Sequence, residues 1–357
     1  MKVYIKFFTN LFFKSLLYVT SVMISLVFIL NYLGELDFFQ NINVGSNFAI
    51  FLALLNSPSM IFDMFPFIFL ITSQIFFIKL FNNNELITLK YSGLKNSKII
   101  IILISLSLAA GIFITSIFYY FSSNLKNFYL ELKSPYTNDG KYLAVITKNG
   151  LWIRDKIEDK TLVINSSKID GNYLIGNFIT EFDEKYNVTK NIKSDKIDVT
   201  KKKWLVYEAK IYQKNSYEND KFLEINTNFD YKRINSLYSN LSSLNIFELF
   251  ELRKNYKKLN YSLTELDLQL LKLSTFPIFL VLMSIFSSLI MFRIKHLSNS
   301  TFKIAVGLFF SVVIYYLNNF FYVLGSTEKL TIFFAIFIPI FILSFVNILM
   351  LNKINDK

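Results

Sequence analysis

The sequence predicts a membrane protein of six transmembrane helices, with an all-β domain inserted between the third and the fourth. Three observations point there. Charged residues make up 18% of the chain and hydrophobic residues 53%, where an ordinary globular protein is about a quarter charged. The apolar residues gather into runs of roughly 20, the length that crosses a hydrocarbon core. The middle of the chain has no such run and breaks into short β-like pieces separated by turn residues.

Lys2, Lys6 and Lys14 precede a first apolar run, Leu16 to Leu33. It is too long for the core of a signal peptide, and no small-x-small cleavage site follows it. It reads as the first span, ending in the acidic tip Gly34-Glu35-Leu36-Asp37. Phe48 to Leu55 is apolar, Asn56-Ser57-Pro58 interrupts it, and Ser59 to Phe81 reads as the second span, with Asp63 near its outer end and Pro66 as a kink. Ile99 to Phe121 is the third span, where Ala109, Ala110 and Gly111 permit close helix approach. Leu268 to Phe292, Ile304 to Leu324 and Leu330 to Leu351 complete the six.

These runs divide the chain into residues 1–121, 122–265 and 266–357. In the middle part, Tyr142–Ile146, Leu162–Asn165, Tyr173–Phe182 and Trp204–Tyr212 read as strands, a pattern that fits a sandwich or a barrel-like sheet. Trp204–Tyr212 carries large residues on both faces, which fits either a strand beside an apolar groove or a two-sided core strand. Asn245-Ile246-Phe247-Glu248 has the form of a capping box and opens an amphipathic helix to about Leu259. The positive-inside rule then orients the chain. Lys and Arg crowd the ends and the loops after the second and fourth spans. The short segments opposite hold Lys329 against Glu35, Asp37 and Glu328. Both termini are therefore expected inside and the β domain outside. The net charge of +12 follows this topology rather than marking a nucleic-acid surface.

The interval Asn82–Lys98 is more than a hairpin needs. Asn84 can cap a short helix from Glu85, Leu86, Ile87 and Leu89 give it an apolar side, and Gly93 supplies a left-handed stop. Such a loop on the inner face suits docking on another protein, though an interfacial helix without a partner has the same pattern. The chain lacks a G-x-x-x-x-G-K-[ST] motif, so any ATP-driven work needs a separate ATPase. There is no Cys and the one His, His296, sits among basic loop residues. Thiolate metal sites and His-dependent catalysis drop out, and no cofactor, metal or enzymatic centre is expected. Glu181 and Asp183 share a strand face, but a solvated edge accounts for them. Within the spans, Asp63 and Lys272 can pair, meet a lipid headgroup or snorkel. Asn318 and Asn319 suit hydrogen bonds across helices.

The chain resembles the permease family of the lipopolysaccharide exporter, the LptF/LptG (YjgP/YjgQ) proteins. Asn84 to Gly93 is similar to the family's S-E-L-x-x-x-x-x-x-G coupling element, with Glu85 and Gly93 at the matching spacing. Ser57-Pro58 before Pro66, Gly150-Leu151-Trp152-Ile153-Arg154-Asp155, Lys272 before Pro277, and Tyr315-Tyr316-Leu317 before Gly325 add to the likeness. The G-L-W segment favours the LptG member. The resemblance implies a β-jellyroll outer domain and an inner-membrane permease paired with a paralogous subunit. The pair would sit on a cytoplasmic ABC ATPase dimer and pass lipopolysaccharide to a periplasmic jellyroll bridge protein. It implies coupling through Glu85, Leu86, Leu89 and Gly93. Lipid would enter between the first and fifth spans of opposite subunits, which makes Asn31, Glu35, Lys272, Asn318 and Tyr316 the candidate substrate residues. One departure stands out: the outer end of the first span, Asn31 to Asp37, is acidic where basic residues would suit lipid phosphates. The competing reading is an ATPase-linked structural or signalling membrane protein that moves no lipid. A membrane hydrolase lacks a nucleophile–base set.

Overall fold

The computed structural model describes residues 3–40, 42, 45–82, 88, 91, 93–133, 136, 143–147, 150–157, 160–170, 172–213, 216–231, 234, 241–259, 262–294 and 299–355. They form two units, Met1–Tyr129 with Asp267–Lys357, and Leu130–Leu266.

The first unit holds six helices long and apolar enough to cross a membrane. The first span is Val3–Phe38, the second Ser46–Asn82, and the third runs from Asn96 through a π-helical turn at Ile114–Phe118 to Lys133. The fourth is Thr264–Arg293, the fifth Ser300–Ser326 and the sixth Ile332–Asn355.

Three expectations need correction here. The second span does not begin at Ser59; its helix continues through both Pro58 and Pro66. A proline removes a helix hydrogen bond, and side chains serve the backbone nearby. The Ala53 carbonyl accepts from both the Ser57 hydroxyl and the Asn31 amide of the first span. The first span's helix also takes in its acidic tip, reaching Phe38 with Asp37 exposed. Glu35 in that tip is 3% exposed and accepts a hydrogen bond from the Tyr129 hydroxyl at 2.8 Å. The third span passes Phe121 because Tyr119–Lys133, though more polar, still buries Tyr119, Ser122, Ser123 and Tyr129.

Lipid is as apolar as a leucine side chain, so small residues and hydrogen bonds set helix approach inside a membrane. The bundle is joined in that way. A Cβ placed on Gly111 would lie 3.1 Å from the Pro277 Cα, so the third and fourth spans meet backbone to backbone. The Ser107 and Ser284 hydroxyls bond at 3.0 Å across the same pair. The Ser287 hydroxyl donates to the Leu70 carbonyl at 2.8 Å, and the Asn347 amide to the Leu282 carbonyl at 3.1 Å. These bonds tie the second and sixth spans to the fourth.

The second unit contains a seven-stranded antiparallel sheet in chain order: β1 Leu143–Thr147, β2 Gly150–Ile157, β3 Lys160–Asp170, β4 Tyr173–Phe182, β5 Val188–Asp198, β6 Lys203–Gln213 and β7 Ser216–Asn226. Its inward residues share one core with Phe229 and Ile234, centred on Trp204, whose indole N–H donates to the Phe229 carbonyl at 2.7 Å. On β6, Trp204, Val206 and Ala209 are buried while Leu205 and Tyr207 are half-buried, so it is a core strand and not the wall of an open groove. Glu208, at φ 48, breaks the alternation without shifting the register, so that both Val206 and Ala209 face inward.

Two further details bear on the sequence reading. Asp155, the last residue of the G-L-W segment, is fully buried and accepts from the Asn228 backbone at 2.8 Å and its side chain at 2.9 Å. The capping box is formed: Asn245 Oδ1 accepts from the amides of Phe247 and Glu248, Glu248 Oε2 accepts from the Asn245 amide, and the helix runs Ile246–Leu259.

Candidate functional site

In the half of the bundle away from the Asn82–Lys98 loop, the second, fourth, fifth and sixth spans enclose a cavity of about 570 Å³. Its wall is apolar along Phe67, Phe276, Phe279, Met283, Ile336 and Ile340. Its polar side carries Asp63, Lys272, Ser311, Asn318 and Asn319. Pro66 and Pro277 fall within the helices that form it.

Lys272 and Asp63 pair at 3.1 Å, with side chains 31% and 54% exposed. The Lys272 ammonium also lies 5.7 Å from the centre of the Tyr322 ring. Lys126, on the extension of the third span, is within electrostatic reach of both Asp63 and Lys272. The Lys272 ammonium suits an anion, the apolar wall suits hydrocarbon, and the amides of Asn318 and Asn319 can serve oxygen-rich groups between them. A charge in an apolar setting is costly unless paired, and the Asp63 partner offsets that cost for Lys272.

The candidate substrate residues separate into two sets. Lys272 and Asn318 line the cavity. Tyr316 does not; it is 66% exposed, and Tyr315 lines the cavity in its place. Neighbouring residues on a helix point about 100° apart, so an error of one position moves a side chain to another face. Asn31 and Glu35 also lie outside the cavity lining. Asn31 donates to the Ala53 carbonyl at 3.0 Å and accepts from Asn56 at 3.2 Å, and Glu35 is bonded to Tyr129. Both hold the first span against its neighbours. Sequence reasoning missed Lys126 because it ended the third span at Phe121; the signal was the string of Ser122, Ser123 and Tyr129 that continues the helix face.

Of the coupling residues, Glu85, Leu86 and Leu89 lie outside the described residues, as does His296. Thr88 and Tyr91 are helical, and Tyr91 is 89% exposed. Gly93 has φ +79, the left-handed stop expected of it, and a Cβ there would meet nothing within 4 Å.

No curated protein matches the chain. A family model, the lipopolysaccharide export system permease LptF/LptG, matches residues 6–353. The matched range takes in all six spans and the sheet. The chain belongs to the LptF/LptG family of lipopolysaccharide export permeases and is a multi-pass inner-membrane protein with a role in lipopolysaccharide transport.

Proposed function

We propose that this chain, the LptG-type member, is one half of a permease pair that a separate dimeric ABC ATPase drives to extract lipopolysaccharide. Both termini and the Asn82–Lys98 loop face the cytoplasm, and the β domain faces the periplasm, where it hands the lipid to a jellyroll bridge protein. The observation that carries this reading is the amphipathic cavity with the Lys272–Asp63 pair on its polar side, in a chain whose family exports lipopolysaccharide. Lys272 meets the phosphorylated headgroup, Asn318 and Tyr315 flank the sugar, and Phe279, Met283 and Ile340 take acyl chain. Asn31 and Glu35 act at one remove by holding the end of the first span, and Tyr316 faces outward, toward lipid or the paralogous subunit. An ATPase-linked protein that moves no lipid has no use for such a cavity.

The loop segment Glu85, Leu86, Leu89 and Gly93 receives the force of ATPase closure. A side chain at Gly93 meets no neighbour among the described residues, but at φ +79 it strains the backbone, so Gly93→Trp disturbs the stop itself as well as obstructing a docked partner. In proteoliposomes holding the full complex, Gly93→Trp is expected to retain ATP hydrolysis and lose lipid extraction. Lys272→Gln is expected to reduce both lipopolysaccharide co-purification and extraction. Parent-like extraction in Gly93→Trp would sink the docking. Purification in mild detergent that brings down neither an ATPase nor lipopolysaccharide would sink the whole reading.

A further inference from the structure

Near the loop, the fifth span is keyed to the second by one side chain. Gln74, fully buried in the second span, donates its amide to the Lys303 carbonyl at 2.8 Å. The same amide occupies the place of a missing side chain on the fifth span. A Cβ built on Gly307 would lie 2.0 Å from Gln74 Nε2 and 2.4 Å from Oε1. Glycine at 307 is therefore what admits Gln74, and Gln74 is what fills the space glycine leaves. In a membrane interior, small residues and polar hooks of this kind decide how two helices are held.

The key continues toward the loop. Lys303 is 2% exposed, and its ammonium stands 5.4 Å from the centre of the Phe81 ring, a cation–π distance. Phe81 packs on Phe77 and on Phe292 of the fourth span. Asn82, the next residue, ends the second span where the Asn82–Lys98 loop begins. Between this key and Gly325, which packs closely on Ala335, the fifth span is little covered, with 11% of its apolar window buried. Gln74 Oε1 is buried with no hydrogen-bond partner among the described residues, so the amide is anchored through its nitrogen on the Lys303 carbonyl and by its seat on Gly307.

We propose that Gln74 is the positioning residue that carries movement of the loop to the fifth span. Displacement of the loop shifts the last two turns of the second span. The Gln74 amide, seated on Gly307 and bonded at Lys303, pulls the fifth span with it and changes the wall that this span gives the cavity through Ser311, Ile314 and Asn318. Gln74 touches no substrate; it acts through the helix it holds. The inference rests on the reading that the loop receives force from an ATPase.

The chain has no cysteine, so two can be introduced cleanly for spin labels: Ile101→Cys on the third span and Phe309→Cys on the fifth, both exposed. Distances between them are measured in the assembled complex, with and without ATP and vanadate. With Gln74 present, nucleotide is expected to shift the distance distribution. With Gln74→Leu, which keeps the bulk and removes the amide, the shift is expected to fall to less than half while ATP hydrolysis continues. If Gln74→Leu fails to assemble, Gly307→Ala, which dislodges the amide by one methyl, must show the same loss. A full shift in either variant overturns the proposal and leaves loop docking intact. No shift in the labelled parent overturns the force reading beneath it, and the proposal falls with it.

Discussion

The second and fourth spans have 61% and 72% of their apolar windows buried; the first and fifth have 22% and 11%. All four are apolar enough to cross a membrane, so apolar content does not separate them. What separates them is how much of each helix its neighbours cover. Ser284 and Ser287 of the fourth span bond to the third and second, and Gly111 brings the third within backbone contact of the fourth. The first and fifth spans expose Leu17, Leu30, Phe309 and Tyr316 instead. In a bilayer such a surface carries no penalty, because lipid is as good a neighbour as another helix. The second and fourth spans are the covered pair; the first and fifth leave most of their surface open, as the proposed lateral entrance requires.

The largest expected effect tests that division directly. Gly111→Leu forces a branched side chain against the Pro277 backbone, and overpacking of this kind costs about 1–3 kcal/mol or more. Purified protein should show a clear drop in unfolding temperature or fail to accumulate. Phe309→Ala, on the open face of the fifth span, should stay within about 0.5 kcal/mol of the parent. Equal losses in the two variants would break the distinction between covered and open spans.

A smaller effect sharpens the contrast between bundle and sheet. In the bundle, Ser15, Thr72 and Ser73 bury hydroxyls without a hydrogen-bond partner among the described residues, which suits helices that shift. In the sheet, Ser166 donates to Asn177 at 2.6 Å, Asn177 to the Leu174 carbonyl at 2.9 Å, and Ser194 to the Tyr207 carbonyl at 2.6 Å. Glu181 belongs to this settled kind. Burial pushes its carboxyl up, but Lys160 at 3.0 Å, Lys190 at 3.1 Å and the Thr189 hydroxyl outweigh that and hold it below the usual carboxylate range. A depressed folded value means that the pair's contribution is present above the unfolded carboxylate range and is lost as pH falls through the folded value. The chain's two tryptophans, Trp152 and Trp204, both lie in the sheet, so their emission follows this domain alone. Denaturant midpoints read by that emission should fall on acidification below about pH 4.5, and Glu181→Gln should flatten the dependence. An unchanged slope in Glu181→Gln would remove Glu181 from the account.

Much of this was legible in the sequence. Hydropathy located six spans because nothing else explains runs of that length, and Asn245 with Glu248 announced a helix start that the fold reproduces. The strand count was harder. β5 reads VTKNIKSDKID and β7 reads SYENDKFLEIN. They carry few apolar residues because β5 buries one face and β7 is exposed along most of its length. β2 was read for its G-L-W motif and not as a strand. The cavity was half legible. Lys272 and Asn318 were found as polar residues in apolar runs, but their convergence with Asp63 depends on how three helices rotate, and no local pattern encodes that. Glu35 was misjudged for a similar reason: its partner, Tyr129, is 94 residues away.

The smallest effect concerns Asn31, a polar hook on a span otherwise open to its surroundings. Its amide bonds the Ala53 carbonyl, and its oxygen accepts from Asn56. Hydrogen bonds between spans average about 0.6 kcal/mol by double-mutant cycles, so Asn31→Leu should lower stability by roughly that amount. Adding Asn56→Leu should cost little more, because the two side chains share one bond. Thermal unfolding of the single and double variants measures both terms. If Asn31→Leu alone lost as much stability as Gly111→Leu, the first span would belong with the covered spans, and the entrance would have to be sought along the fifth span only. If the loss is small, Asn31 is a minor tie beside the buried Glu35–Tyr129 bond, and the outer half of the first span is held chiefly by that bond and by packing.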